Sequence, residues 1–238
     1  MTTVLALHGF TRSPKHLNAF AQACDRRGWT CVRPLVAPRW MPILMNDRRH
    51  LDRLVRRLID SGTLVGRVVI VGHSAGAAAA SWMTPGLVSS GVDVAGLVFV
   101  DGNDSPNHLI ERAWTDLETV PIRAVMAPPS PCNRHGRLSA FLESRRPGSV
   151  TEIAGAGHGD FEMTGAAVYR RTCKDRSGPT EWVQVQAAVV TCIEELCRDV
   201  VSDSGHWSGI DVPRFVLQHE AVQHDRHRGA GHFNTNEG

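Results

Sequence analysis

The fold class predicted for this 238-residue chain is α/β: a mostly parallel, doubly wound sheet with helices on both faces. Short β-branched apolar runs alternate with amphipathic stretches of helical period, the pattern of strands joined by crossover helices. One run, Val68-Val69-Ile70-Val71, passes through Gly72-His73-Ser74-Ala75-Gly76 directly into Ala77-Ala78-Ala79-Ala80, a strand, a tight turn and a helix in immediate succession. Finally, Ser74, Asp101 and His158 each fall just beyond an apolar run, and in open parallel sheets ligands gather beyond the carboxyl ends of the strands.

The elements follow in order. Val4-Leu5-Ala6-Leu7 reads as the first strand, ending at His8-Gly9-Phe10. Leu17, Phe20, Ala21 and Cys24 recur at helical spacing and predict a helix over Pro14–Arg27, stopped by Gly28. Trp29–Val32 is the next strand, closed by Pro34. Leu51, Leu54, Val55, Leu58 and Ile59 mark one face of a helix over Asn46–Asp60, whose other face (Arg48, Arg49, Asp52, Arg53, Arg56 and Arg57) reads as solvated surface. After the Ser74 turn and its helix come strands at Val94–Val100, Ile122–Met126 and Val150–Ile153. They end respectively at Asp101-Gly102, at a Pro-rich loop, and at Gly155-Ala156-Gly157-His158-Gly159. The interval Gly102–Pro121 has room for one helix, Asn107–Leu117, so no large cap domain is expected, and Asp160–Pro179 is the candidate for partial cover. A last helix spans Thr180–Val200. From Ser202 the chain turns polar and histidine-rich, dividing it into a folded domain over 1–201 and a tail over 202–238, with Asp225–Gly238 read as disordered.

Composition excludes several functions. A formal net charge of +2 offers no field for nucleic acid, and no apolar run approaches the ~20 residues of a membrane span. The chain enters its first strand directly after Met1-Thr2-Thr3, so a cytoplasmic location is expected. Cys24, Cys31, Cys192 and Cys197 lie in apolar segments as packed thiols. Cys132 and Cys173 lie in loops flanking the carboxyl edge of the sheet, where a bridge is feasible but two free thiols are the expectation in a reducing compartment.

Gly-x-Ser-x-Gly between strand and helix is what a nucleophile elbow requires, with Ser74 as the nucleophile. A serine hydroxyl needs an adjacent base and the base needs an orienting acid. His158, on a glycine-flanked loop after a strand, is the expected base; Gly229-Ala230-Gly231-His232 repeats its tetrapeptide but follows no strand. The loop after Met126 holds no carboxylate before Arg134, so the acid is assigned to the preceding strand end, Asp101, with Asp104 as the competitor. Asp160 and Glu162 read as a loop cap or an exposed charge, and His73 as turned away into packing. The oxyanion donors would be the backbone N–H groups of Ala75 and Phe10, the latter in the turn that Gly9 permits. No cofactor and no metal are expected: His219-Glu220-Ala221-Val222-Gln223-His224 is one residue too long for two imidazoles to share a helix face.

Taken together, these residues resemble the α/β-hydrolase superfamily over Val4–Cys197. His8-Gly9-Phe10-Thr11-Arg12-Ser13 is similar to the opening of small dienelactone-hydrolase-like and polyester-cleaving members. The acid on the earlier strand, Pro131-Cys132-Asn133 and Gly157-His158-Gly159-Asp160-Phe161 are more similar to chlorophyllase-like members. The elbow departs from the latter, reading His73-Ser74-Ala75-Gly76 where chlorophyllases carry His-Ser-Arg-Gly-Gly. The resemblance implies a serine esterase that cleaves a small-molecule carboxylic ester through an acyl-serine intermediate. A thioesterase, lactonase or acyltransferase would use the same residues, and a non-catalytic binding module is the reading from another class.

Overall fold

The computed structural model describes residues 1–104, 107–162, 171–175 and 177–198. Within them the chain runs β1 (Thr2–Leu7), α1 (Asn18–Asp25), β2 (Thr30–Val32), α2 (Arg48–Asp60), β3 (Arg67–His73), α3 (Ala75–Ser89), β4 (Val94–Val100), α4 (Leu109–Leu117), β5 (Ile122–Met126), α5 (Arg137–Arg145), β6 (Val150–Glu152) and α6 (Pro179–Arg198). Every strand pairing is parallel, in the order β2-β1-β3-β4-β5-β6.

Side chains alternate across the sheet with the strand period of two and build two apolar layers. Leu5, Leu7, Val68, Ile70, Leu97 and Phe99 face α2, α3, α4 and α5. Val4, Ala6, Val69, Val71, Val98 and Val100 face Phe20 and Cys24 of α1 and Val189 and Ile193 of α6. The central strands β3 and β4 are therefore buried on both sides, which is why their sequences are continuous apolar runs rather than alternating ones. Helix α3 is buried from Ala75 to Ser81, and its alanines let the helix lie close to the sheet.

Some boundaries differ from the sequence reading. The segments Pro14–Leu17 and Pro42–Asn46 are short 3-10 turns, and α2 starts only at Arg48, where Asp47 caps it by accepting the His50 N–H at 2.7 Å. Helix α5 was not anticipated: Leu138 and Leu142 anchor it to the core, but the apolar stripe is short and follows a proline-rich stretch. Helix α4 alone occupies the described part of the interval between β4 and β5, and no large cap is present among the described residues. None of the described helices is long and apolar enough to cross a membrane. The expected tail over 202–238, with its histidines, lies outside the described residues.

The turn between β3 and α3 sets the site. Ser74 has φ 54° and ψ −122°, a conformation that L-residues rarely hold. A Cβ at Gly72 would stand 2.5 Å from the Gly76 carbonyl oxygen, and one at Gly76 would stand 2.5 Å from that of Leu7. Both obstacles are backbone and cannot rotate away. By contrast, a Cβ at Gly86, further along α3, would meet the Val55 side chain, with Cγ1 at 3.4 Å and Cγ2 at 3.9 Å. Gly76→Ala is therefore expected to lower the free energy of unfolding by ~2 kcal/mol or more, and Gly86→Ala to raise it by ~0.5–1 kcal/mol, read by urea denaturation.

Candidate active site

Ser74 is held from both sides. Its N–H donates to Val100 O at 3.0 Å, and its carbonyl accepts from Ala77 N at 3.0 Å and Asn103 N at 3.1 Å. The backbone is thus pinned to β4, to α3 and to the loop beyond Asp101. The hydroxyl lies 2.9 Å from His158 Nε2. His158 Nδ1 lies 2.5 Å from Asp101 Oδ2, and all three side chains belong to buried residues.

Asp101 ends β4 in a left-handed conformation, φ 39°, with its N–H on Val125 O at 2.8 Å. Its second oxygen, Oδ1, accepts from Ala127 N at 3.1 Å and from Asn133 Nδ2 at 2.9 Å. Asn133 is itself fastened: its Oδ1 accepts from Ser130 N at 2.8 Å and Gly136 N at 3.1 Å, and Nδ2 also reaches Pro128 O at 3.0 Å. Asp104 does other work. Its two oxygens accept from Ile110 N and Glu111 N at 2.8 and 3.0 Å, which caps α4, and burial pushes its pKa up despite those bonds.

The His158 loop is tied by carboxylates. Asp160 Oδ2 accepts from Gly157 N at 2.7 Å, and Asp175 Oδ2 accepts from Gly159 N at 3.0 Å. Asp160 is thus a loop cap, buried and raised above the ordinary carboxylate range by that burial. Glu162 is not an exposed charge, and its nearest partners are the side chains of His73 and Arg12. It is 3% exposed, with Oε1 3.0 Å from His73 Nδ1 and Oε2 2.9 Å from Arg12 Nε. His73 does turn away from the serine, and its Nε2 lies 2.8 Å from the His158 carbonyl oxygen.

Two buried histidines, His8 and His73, take opposite charge states, and hydrogen bonding decides which. Val36 N donates to His8 Nε2 at 3.1 Å, so the His8 proton is on Nδ1, facing Gly9 O at 3.0 Å. The ring is neutral, in keeping with a pKa lowered chiefly by burial. Both nitrogens of His73 face oxygen acceptors, and only an imidazolium can donate twice. Burial opposes that charge, but the Glu162 carboxylate and the hydrogen bonds outweigh it and raise His73 above its ordinary 6.5. Burial likewise opposes ionisation of Glu162, yet His73 and Arg12 hold it below its ordinary 4.5.

Of the two expected oxyanion donors, Ala75 is the first residue of α3, where an N–H has no acceptor inside its own helix. Gly9 passes so near the elbow that a Cβ there would stand 3.3 Å from Ser74 Cβ, and Phe10 follows it with a half-exposed ring. His232, the alternative histidine, lies outside the described residues, as does 163–170 of the expected covering loop.

The cysteine expectation is corrected. Cys132 and Cys173 form a disulfide, their Cα atoms 5.1 Å apart, while Cys24, Cys31, Cys192 and Cys197 are free. Folding brings together two loops that are 41 residues apart in sequence, and that proximity cannot be read from cysteine spacing. The bridge joins the loop of Asn133, which holds Asp101, to the segment of Asp175, which holds the His158 loop.

Comparison with known proteins adds the fold. Among solved structures, a carboxylesterase of the thaumarchaeon Nitrososphaera gargenis aligns at TM-score 0.57 and 11% identity, over 83% of this chain and 92% of that one. A protein from Xanthomonas campestris pv. campestris, described as a hydrolase of the alpha/beta superfamily, aligns at TM-score 0.50 and 19% identity, over 82% and 98%. The NocB thioesterase domain of the nocardicin cluster aligns at TM-score 0.51 and 12% identity, over 81% and 94%. The chain has the α/β-hydrolase fold. No protein-family model matches the sequence, and no curated relative does.

Two outcomes are expected. The lowered Glu162 stabilises the fold above about pH 4.5, an effect lost as pH falls through its folded value. The raised His73 stabilises it below about pH 6.5, an effect lost as pH rises through its folded value. Glu162→Gln should therefore flatten both flanks of a plot of Tm against pH. Reduction of Cys132–Cys173 should lower Tm, since a 41-residue separation gives a chain-entropy contribution of about 4 kcal/mol, and a scan with and without a phosphine reductant measures it.

Proposed function

We propose that this chain is a serine hydrolase that cleaves a small-molecule carboxylic ester through an acyl-serine intermediate. Ser74 is the nucleophile, His158 the general base and then acid, Asp101 the orienting acid, and Ala75 and Phe10 supply the oxyanion N–H donors. The observation that carries this reading is the buried relay of contacts, 2.9 Å from Ser74 Oγ to His158 Nε2 and 2.5 Å from His158 Nδ1 to Asp101 Oδ2. Asp101 accepts at Nδ1, which leaves Nε2 as the nitrogen able to take the Ser74 proton. The oxyanion forming on the carbonyl would meet the N–H groups at the elbow and in the turn after β1. His158 then returns the proton to the leaving alcohol, and water repeats the sequence to release the acid.

Fluorophosphonate labelling with intact-mass detection, followed by a panel of p-nitrophenyl esters and acyl thioesters, tests the reading and begins to define the acyl group. Ser74→Ala should abolish labelling and lower turnover by several orders of magnitude, and unchanged hydrolysis would overturn the assignment. His158→Ala should approach the same defect, and the double variant should be little worse, because such residues act as a unit. Asp101→Asn should lower kcat by up to ~10⁴, and Asp104→Asn by much less. Truncation before Asp225, which removes His232, should leave kinetics nearly unchanged.

A further inference from the structure

The loop that carries His158 and the turn after β1 that carries Phe10 both come up against Ser74. A reaction using both needs them at a constant separation. Among the described residues, the Glu162 carboxylate ties them directly. Glu162 leaves the His158 loop four residues after the histidine and is buried to 3% exposure. Its Oε2 meets Arg12 Nε at 2.9 Å, and its Oε1 accepts from Gly9 N at 3.4 Å, so both ends of the Gly9–Arg12 turn are attached to it. The same Oε1 meets His73 Nδ1 at 3.0 Å, next to the nucleophile in sequence. His73 completes the circuit by donating from Nε2 to the His158 carbonyl oxygen at 2.8 Å.

From this geometry we propose that Glu162 is a positioning residue for the reaction, locking the base loop, the elbow and the oxyanion turn into one unit through His73 and Arg12. This rests on the function proposed for Ser74, His158 and Phe10. The arrangement demands charges rather than neutral partners. Both nitrogens of His73 face acceptors, so the ring must be an imidazolium, and an imidazolium buried without Glu162 would stand uncompensated. Arg12 lies at the outer edge, its side chain 13% exposed, and anchors Glu162 from the turn. None of the three touches the reacting atoms in this reading. Their effect is on distance, and a displacement of about 1 Å at such a site can cost ~10² in rate.

The test uses the full-length chain, with active sites titrated by fluorophosphonate so that kcat refers to competent protein only. Glu162→Gln keeps the shape and removes the charge. It is expected to lower kcat by ~10²-fold with KM within about threefold of wild type. Arg12→Gln should lower kcat by ~10-fold, Arg12→Lys should recover most of that, and the Glu162→Gln/Arg12→Gln pair should be no slower than Glu162→Gln alone. A merely structural role would lower Tm and leave kcat per titrated site unchanged. Should Glu162→Gln fail to fold, the Arg12 pair of variants carries the test at the protein's edge. Unchanged kcat in Glu162→Gln or in Arg12→Gln, or losses that simply multiply in the double variant, would overturn the proposal. Persistent activity in Ser74→Ala would instead overturn the function on which it rests, and the two failures are read from different variants.

Discussion

Because no side-chain carbon can stand at Gly72 or Gly76, the first turn of α3 lies directly against the backbone of β1 and β3. The carbonyls of Leu7 and His8 sit where a Cβ of Gly76 would be, and that contact locates everything else at the carboxyl edge. It brings the turn after β1 alongside Ser74 and forces the serine into its unusual φ and ψ. It also leaves the N-terminus of α3 next to the hydroxyl. The alanine run that follows is the same constraint continued, since larger side chains would lift the helix from the sheet. The conformational strain at Ser74 persists because neighbouring backbone hydrogen bonds to β4 and α3 over-determine it.

Around that contact the polar groups are arranged with few ambiguities. Asp101 has an acceptor role at each oxygen, one toward His158 and one toward Ala127 and Asn133. Asn133 uses both ends of its amide, so its own orientation is determined by the loop it closes. His8 is kept neutral by a backbone donor, and His73 is kept charged by two acceptors. His8 directly follows β1 and His73 ends the neighbouring strand β3, and although both are fully buried their partners bias the two rings in opposite directions.

Much of the fold was legible because apolar runs such as Val68–Val71 and Val94–Val100 are too short for helices and are bounded by turn residues. Strand ends were legible for the same reason, and that pointed to Ser74, Asp101 and His158 as neighbours, which the structure brings within contact. Asp104 lies only three residues beyond Asp101, and its competing role as a helix cap becomes visible only once α4 is placed. Glu162 was misread because its loop is too short for it to orient His158, and its actual partners, Arg12 and His73, come from distant parts of the sequence. The Cys132–Cys173 pair and helix α5 were missed because each depends on how the stretch after β5 folds back, and its prolines carry no periodicity.

The disulfide closes a covalent ring from Cys132 to Cys173, and His158 is inside it while Ser74 and Asp101 are outside. The exposed turn between α5 and β6, around Arg145 and Gly148, is also part of that ring. A single peptide-bond cut there would not separate the molecule into fragments. The piece bearing His158 would stay attached through the sulfur bridge to the stretch just after β5. An oxidised molecule can thus lose the continuity of its backbone at this turn and still keep the histidine joined to the sheet that presents the serine.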